Sequence, residues 1–178
     1  GIEKEESGDV ADRFYERVMF PIHSLTGRII AFGGRTLRTD KSVAKYINSP
    51  ESEIYSKSRS LYGIFFAKSA IARLQKCYLV EGYTDVISLV QAGVENVVAS
   101  SGTSLTSEQI RLIRRFAPQV TILYDSDAAG IKASLSGIDM LLEEGLQVKV
   151  VLFPEGDDPD SYARKSTPAQ LKDYLQNA

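Results

Sequence analysis

Residues 119–127, QVTILYDSD, decide the fold: an apolar run, QVTILY, reads as a buried strand and ends in two carboxylates, Asp125 and Asp127. Alternate residues of a strand face the same way, so both acids project to one side of its end. The same pattern recurs on either side. CYLVEGYTD (77–85) is an apolar strand ending in Glu81 with Asp85 beyond it, and QVKVVLF (147–153) runs into PEGDDPD (154–160) with Asp158 and Asp160. In an open α/β sheet the carboxyl ends of the strands share one edge, where ligands bind, so six carboxylates are expected to converge there. Carboxylates that close repel unless cations lie between them. All-oxygen donors without a His or Cys set favour Mg²⁺ or Mn²⁺.

Each cluster also has a plainer reading when taken alone. Asp85 suits the N-terminal cap of the following helix, Asp-x-Asp recurs at acidic strand ends, and PEGDDPD has the composition of a turn. Glu81 is harder to explain that way, because a carboxylate ending the run CYLV is desolvated without a cation or donor. Their order on successive strands is what favours the metal reading.

Between these strands lie helical segments. IFFAKSAIARL (64–74) and residues 85–91, stopped by Gly93, read as helices, with NVVAS (96–100) as a further strand. Thr106 to Gln109 forms a capping box for a helix reaching about Phe116, residues 128–144 form another, and Thr167 to Gln170 with Pro168 opens a last one. Strands separated by crossover helices require a mainly parallel sheet covered on both faces.

Upstream the pattern differs. VMFPIH (18–23) and RIIAFGGRTL (28–37) read as a β-hairpin around the turn SLTG, with Gly33 and Gly34 marking a bulge or a close approach of chains. Residues 37–61 read as an ordered loop, residues 1–9 as a frayed end or a cut made inside a longer protein, and regular structure is expected from about Asp12. The fold class is therefore α/β, with a helix-flanked parallel sheet over residues 63–178 preceded by a small mixed α+β subdomain over residues 1–62.

The 178 residues are 43% hydrophobic and 25% charged, enough for one core with a small satellite. No apolar run approaches a membrane span and no signal-peptide pattern opens the chain, so a cytoplasmic setting without membrane contact is expected. Cys77 and His23 are the sole residues of their kinds, which excludes a zinc ribbon or an internal disulfide. Cys77 reads as a small core residue and His23 as solvent-facing. Net charge is -2 but unevenly spread: residues 13–76 carry 12 Lys and Arg against 4 Asp and Glu, residues 77–178 carry 8 against 14. A basic part before an acidic one fits a polyanion grip beside a metal-holding centre. Lys41, Lys45, Lys57 and Arg59 interleave with Tyr46, Tyr55 and Tyr62, a mixture suited to phosphates and stacked bases.

VEGYTDV (80–86), ASSGTS (99–104), LYDSDAAGIKA (123–133) and FPEGDDPDS (153–161) together resemble the Toprim domain of primases, topoisomerases and some nucleases. DRFYERVMFPI (12–22), GRIIAFGGR (27–35), KYINSPES (45–52) and YSKSRSLYGI (55–64) resemble more narrowly the catalytic core of bacterial DnaG-type primases. The resemblance implies that Glu81 is a metal ligand and acid/base group, that Asp125 and Asp127 are metal ligands, and that Asp85, Asp158 and Asp160 support them. It further implies that Arg13, Arg17, Arg35, Lys45 and Lys57 line the path of template and nucleotide. Ser126, where Gly is usual, and a longer spacer RTDKSVAKY (38–46) depart from the family pattern without removing a ligand.

The function so implied is synthesis of short RNA primers on a single-stranded DNA template from ribonucleoside triphosphates. A replicative helicase is expected as a partner only through a domain outside this chain, which resembles an excised piece of a longer primase. The rival readings are another metal-dependent Toprim enzyme, a nuclease or topoisomerase, and a non-catalytic nucleic-acid-binding scaffold.

Overall fold

The computed structural model describes residues 2–4, 10–39, 42–102, 104–124 and 137–177. The chain divides into two compact units, Gly1–Tyr55 and Ser56–Ala178.

The first unit is antiparallel throughout. Strand β1 (Ile2–Lys4) pairs with β2 (Val10–Asp12), so regular structure begins well before Asp12 and residues 2–4 are not a frayed end. The acidic composition of this segment hid a strand whose stability comes from its partner, not from its own propensity. The expected hairpin is present as β3 (Arg17–His23) and β4 (Ile29–Thr36). Its turn closes through Gly27 N–H donating to Ser24 O at 3.0 Å, with Gly27 at φ 88°, a left-handed conformation that glycine adopts without steric cost.

The register of this hairpin shifts between Ile22 and His23, at the turn end and not at the paired glycines. Gly34 instead meets the close-approach expectation. A methyl group there would lie 2.6 Å from Cδ1 of the buried Phe14 ring, so the ring lies against bare backbone. Gly34→Ala is expected to destabilise this unit by about 1–3 kcal/mol, the usual cost of overpacking a filled site. Thermal denaturation followed by circular dichroism checks it, and an unchanged midpoint would show that Phe14 moves aside freely.

Two local expectations need correction. Residues 37–61 are not all loop: β5 (Tyr46–Asn48) adds a third strand, pairing Asn48, Ile47 and Tyr46 with Gly33, Gly34 and Arg35 of β4. Three residues are too few to show a period in sequence, and only the neighbouring β4 edge makes them a strand. His23 is half-buried and so faces solvent only in part.

In the second unit a four-stranded sheet has the order β7-β6-β8-β9, with every pair parallel. Its strands are β6 (Lys76–Val80), β7 (Val97–Ala99), β8 (Gln119–Tyr124) and β9 (Gln147–Leu152). Helix α1 (Ile64–Leu74) precedes the sheet, α2 (Tyr83–Gln91) joins β6 to β7, and α3 (Ser107–Arg114) lies between β7 and β8. Residues 137–143, α4, are helical before β9; residues 128–136 of the expected helix lie outside the described residues. Two helices follow β9, α5 (Pro159–Lys165) and α6 (Pro168–Asn177). Of these, α5 was not foreseen in a segment read as a turn. Asp158 caps it by accepting from Ser161 N–H at 2.6 Å, and Pro159 occupies its first position.

Period-two alternation splits the sheet into two faces. Tyr78 and Val80 pack in one cluster with Val86 and Leu89 of α2, Ala163 of α5, and Leu171 and Leu175 of α6. Cys77 and Leu79 are buried on the opposite side. Cys77 is fully buried, as read from sequence, and burial pushes its thiol above the ordinary range. The outer edge of β7 is closed by Tyr62, which exchanges backbone hydrogen bonds with Ala99 at 2.9 and 3.1 Å.

Candidate metal and nucleic-acid site

Glu81 immediately follows β6 and is exposed at its C-terminal end. Its backbone is held in place from the neighbouring strand: Ser100 N–H donates to Val80 O at 3.3 Å and Ser101 N–H to Glu81 O at 3.0 Å. These bonds prolong the β6–β7 pairing past both strands, and Ser101 then turns the chain at φ 60°. Glu81 shares its strand face with Leu79, and Tyr124 at the end of β8 shares its face with Ile122. All four line a cavity of about 320 Å³ together with Ser100, Ser104 and Met140.

Tyr124 is buried at the end of β8, and burial first, then the Glu81 carboxylate, pushes its phenol above the ordinary tyrosine range. It therefore stays protonated at neutral pH and is available as a hydrogen-bond donor beside the acid. Tyr124 and Ser100 were not singled out from sequence, because one ends an apolar run and the other a strand. The period-two match between Leu79–Glu81 and Ile122–Tyr124 is the signal that identifies them.

Asp125 and Asp127, one and three residues past β8, lie outside the described residues. Glu81 is thus the described member of the proposed central set. The supporting acids have work of their own. Asp85 Oδ2 accepts from Gly82 N–H at 2.9 Å, as a residue capping α2 does. Asp158 caps α5, and Asp160 accepts from Ser88 Oγ of α2, which ties α5 to α2 across 72 positions of sequence. Among the described residues no group of three or more His, Cys, Asp and Glu side chains gathers as a metal-holding cluster. The donors at this edge are carboxylate and hydroxyl oxygens, which suit a hard divalent cation.

The basic residues divide between the units. In the first, Arg13 Nε donates to Asn48 O at 3.3 Å, and one terminal nitrogen of Arg17 donates to Ala44 O at 2.9 Å and Gly34 O at 3.4 Å. Both guanidinium groups brace the sheet. Arg35 and Lys45 both approach the ring of Tyr46, at 5.8 and 6.0 Å from its centroid, so two cations and an aromatic face form one group on β4 and at the entry to β5. In the second unit Lys57 opens a short 3-10 turn, Lys57–Arg59. Arg111 and Arg114 are paired to Glu144, at 2.8 and 3.6 Å, as a solvated helix face.

Residues 1–68 match the family described as DNA primase catalytic core, N-terminal domain, and residues 78–163 match the family described as Toprim-like. The chain is 51% identical over 164 residues to a DNA primase of Halalkalibacterium halodurans, an alignment covering 92% of this chain and 27% of that protein. It superimposes on the crystal structure of the Aquifex aeolicus primase, zinc-binding and RNA polymerase domains, with TM-score 0.91 at 41% identity, over 98% of this chain and 43% of that one. A DnaG primase catalytic domain bound to single-stranded DNA gives TM-score 0.90 at 39% identity, over 99% of this chain and 57% of that one. The chain thus spans about a quarter of the curated relative and about half of these solved chains. Two family matches in this order, on a parallel sheet with Glu81 at its carboxyl edge, place the chain in the bacterial DnaG-type primase family, within its catalytic core.

Proposed function

We propose that this chain is the nucleotidyl-transferring part of a DNA primase, joining ribonucleoside triphosphates into an RNA primer on single-stranded DNA. The observation that carries the reading is Glu81 at the carboxyl end of β6, beside the β8 end that leads into Asp125 and Asp127, in a chain matched by both primase-core and Toprim-like families. The DnaG relative bound to single-stranded DNA supports the template assignment.

Glu81, Asp125 and Asp127 hold the divalent metal, Mg²⁺ or Mn²⁺, with Asp85, Asp158 and Asp160 as the outer acidic set. Such ions, when bound, polarise the α-phosphate and neutralise the leaving pyrophosphate. Glu81 also accepts the proton released as the primer 3′-oxygen bonds to the α-phosphorus and the bond to the β-phosphate oxygen breaks. Tyr124 donates a hydrogen bond at the same edge and Ser100 fixes the strand end that carries Glu81. Arg13, Arg17, Arg35, Lys45 and Lys57 contact template and nucleotide phosphates, leaving sequence to be read by base pairing. Such an enzyme works in the cytoplasm, at the replication fork; among the described residues no helix is long and apolar enough to cross a membrane.

Titration calorimetry with Mn²⁺ tests the metal assignment. Weak binding is expected in the unaltered chain and none in the variant carrying Asp125→Asn with Asp127→Asn, since an amide offers one neutral oxygen where a carboxylate offers two charged ones. Unchanged binding in the double variant removes the central claim.

A further inference from the structure

We propose that Gln109 is a positioning residue for Lys57, holding the turn that presents this cation to a nucleic-acid phosphate; the inference rests on the template reading above. The turn Lys57–Arg59 cannot set its own shape. It has three residues, none buried, and no side-chain cap. So short a 3-10 segment is not stable in isolation.

Its conformation comes from α3. Gln109 is fully buried, yet its amide is fully occupied: Nε2 donates to Ser60 O at 2.9 Å and Lys57 O at 3.2 Å, while Oε1 accepts from Thr106 N–H at 3.2 Å. Thr106 Oγ1 donates to Ser58 O and accepts from Gln109 N–H at 3.2 Å. Three of the four carbonyls from Lys57 to Ser60 are therefore held by two side chains about 50 positions away in sequence. Ser60 Oγ, donating to Ser56 O at 2.8 Å, closes the turn from within, and the buried Leu61 anchors its exit.

The capping box at Thr106 thus has a second use. Glu or Gln at this position of a capping box serves its own helix end, but here the Gln amide nitrogen reaches outward to a different segment. Ser104 and Leu105, which line the cavity beside Glu81, run directly into Thr106. The backbone of Lys57 is consequently tied to the wall of the cavity at the metal-binding edge. A cation whose backbone is already ordered loses less entropy when it grips a phosphate, and its distance from the chemistry is set in advance.

The experiment is fluorescence anisotropy of a labelled single-stranded oligonucleotide across a salt series, with Gln109→Met, which keeps the volume and removes the donors. Each phosphate contact contributes about -0.7 to the slope of log affinity against log salt, so Gln109→Met is expected to flatten it by about 0.7, and Lys57→Ala in that background to add nothing. A lowered melting temperature with an unchanged slope, or full additivity with Lys57→Ala, overturns the proposal. If Gln109→Met does not fold, Thr106→Val, which removes the bond to Ser58, must flatten the slope, and failure to do so overturns it equally. Should Lys57→Ala leave the unaltered chain's slope intact, the template assignment of Lys57 fails; flattening by Lys57→Ala alone refutes only the part given to Gln109.

Discussion

Glu81→Gln, placed in the full-length primase, is expected to lower primer synthesis by about 10²- to 10⁴-fold, the range for losing a positioned acid–base group. The substitution preserves shape and keeps one oxygen acceptor, but removes the negative charge and the ability to take a proton. Glu81 is exposed at the end of β6, and its carbonyl, which the substitution leaves untouched, accepts from Ser101 N–H. The fold therefore has little to lose, and circular dichroism and melting temperature should stay near those of the unaltered protein. Incorporation of labelled ribonucleotides on a single-stranded template is the direct measurement. A loss smaller than about tenfold would move the catalytic charge elsewhere. Template affinity should hold or rise slightly, since a carboxylate near a polyanion is removed.

The second large effect concerns salt. Five phosphate contacts by Arg13, Arg17, Arg35, Lys45 and Lys57 predict a slope of log affinity against log salt of about -3.5 for a single strand, at about -0.7 per contact. Affinity should accordingly fall by about two orders of magnitude between 50 and 200 mM salt. Lys45→Ala with Lys57→Ala should flatten the slope by about 1.4, with little dependence on base sequence. Arg111→Ala with Arg114→Ala supplies the contrast, because both guanidinium groups already face Glu144. Equal flattening by that pair would mean diffuse attraction to the surface and no defined contacts. Arg17 can serve both the sheet and a phosphate because a guanidinium has five donors, and its bonds to Ala44 and Gly34 come from one terminal nitrogen.

Much of the second unit was legible because the signals are local. IFFAKSAIARL is helix α1 to the residue, QVTILY is β8, and the capping boxes at Thr106 and Thr167 open α3 and α6. An apolar run or an Ser/Thr-x-x-Gln box carries its own physics within one or two turns of chain. What failed was whatever depended on a distant partner. The strands β1 and β5 have three residues each and exist through the edges they pair with. The helix α5 was hidden because Asp158 and Pro159 suit a turn and a helix start equally well, and its docking on α2 through Asp160 and Ser88 spans 72 positions.

Sequence by itself determined the strand-and-helix alternation, the acidic strand ends and the basic-before-acidic charge division, since each is a property of residue type and spacing. Tertiary structure alone decided what the acids do. Glu81 and Asp85 are four residues apart, yet one faces a cavity with Tyr124 while the other accepts from Gly82 at the start of α2. It also decided that Gln109, a capping residue by every local rule, turns its one amide nitrogen to the carbonyls of Lys57 and Ser60. A buried polar group must find its partners wherever the fold brings them, and that geometry is not written in any stretch of neighbouring residues.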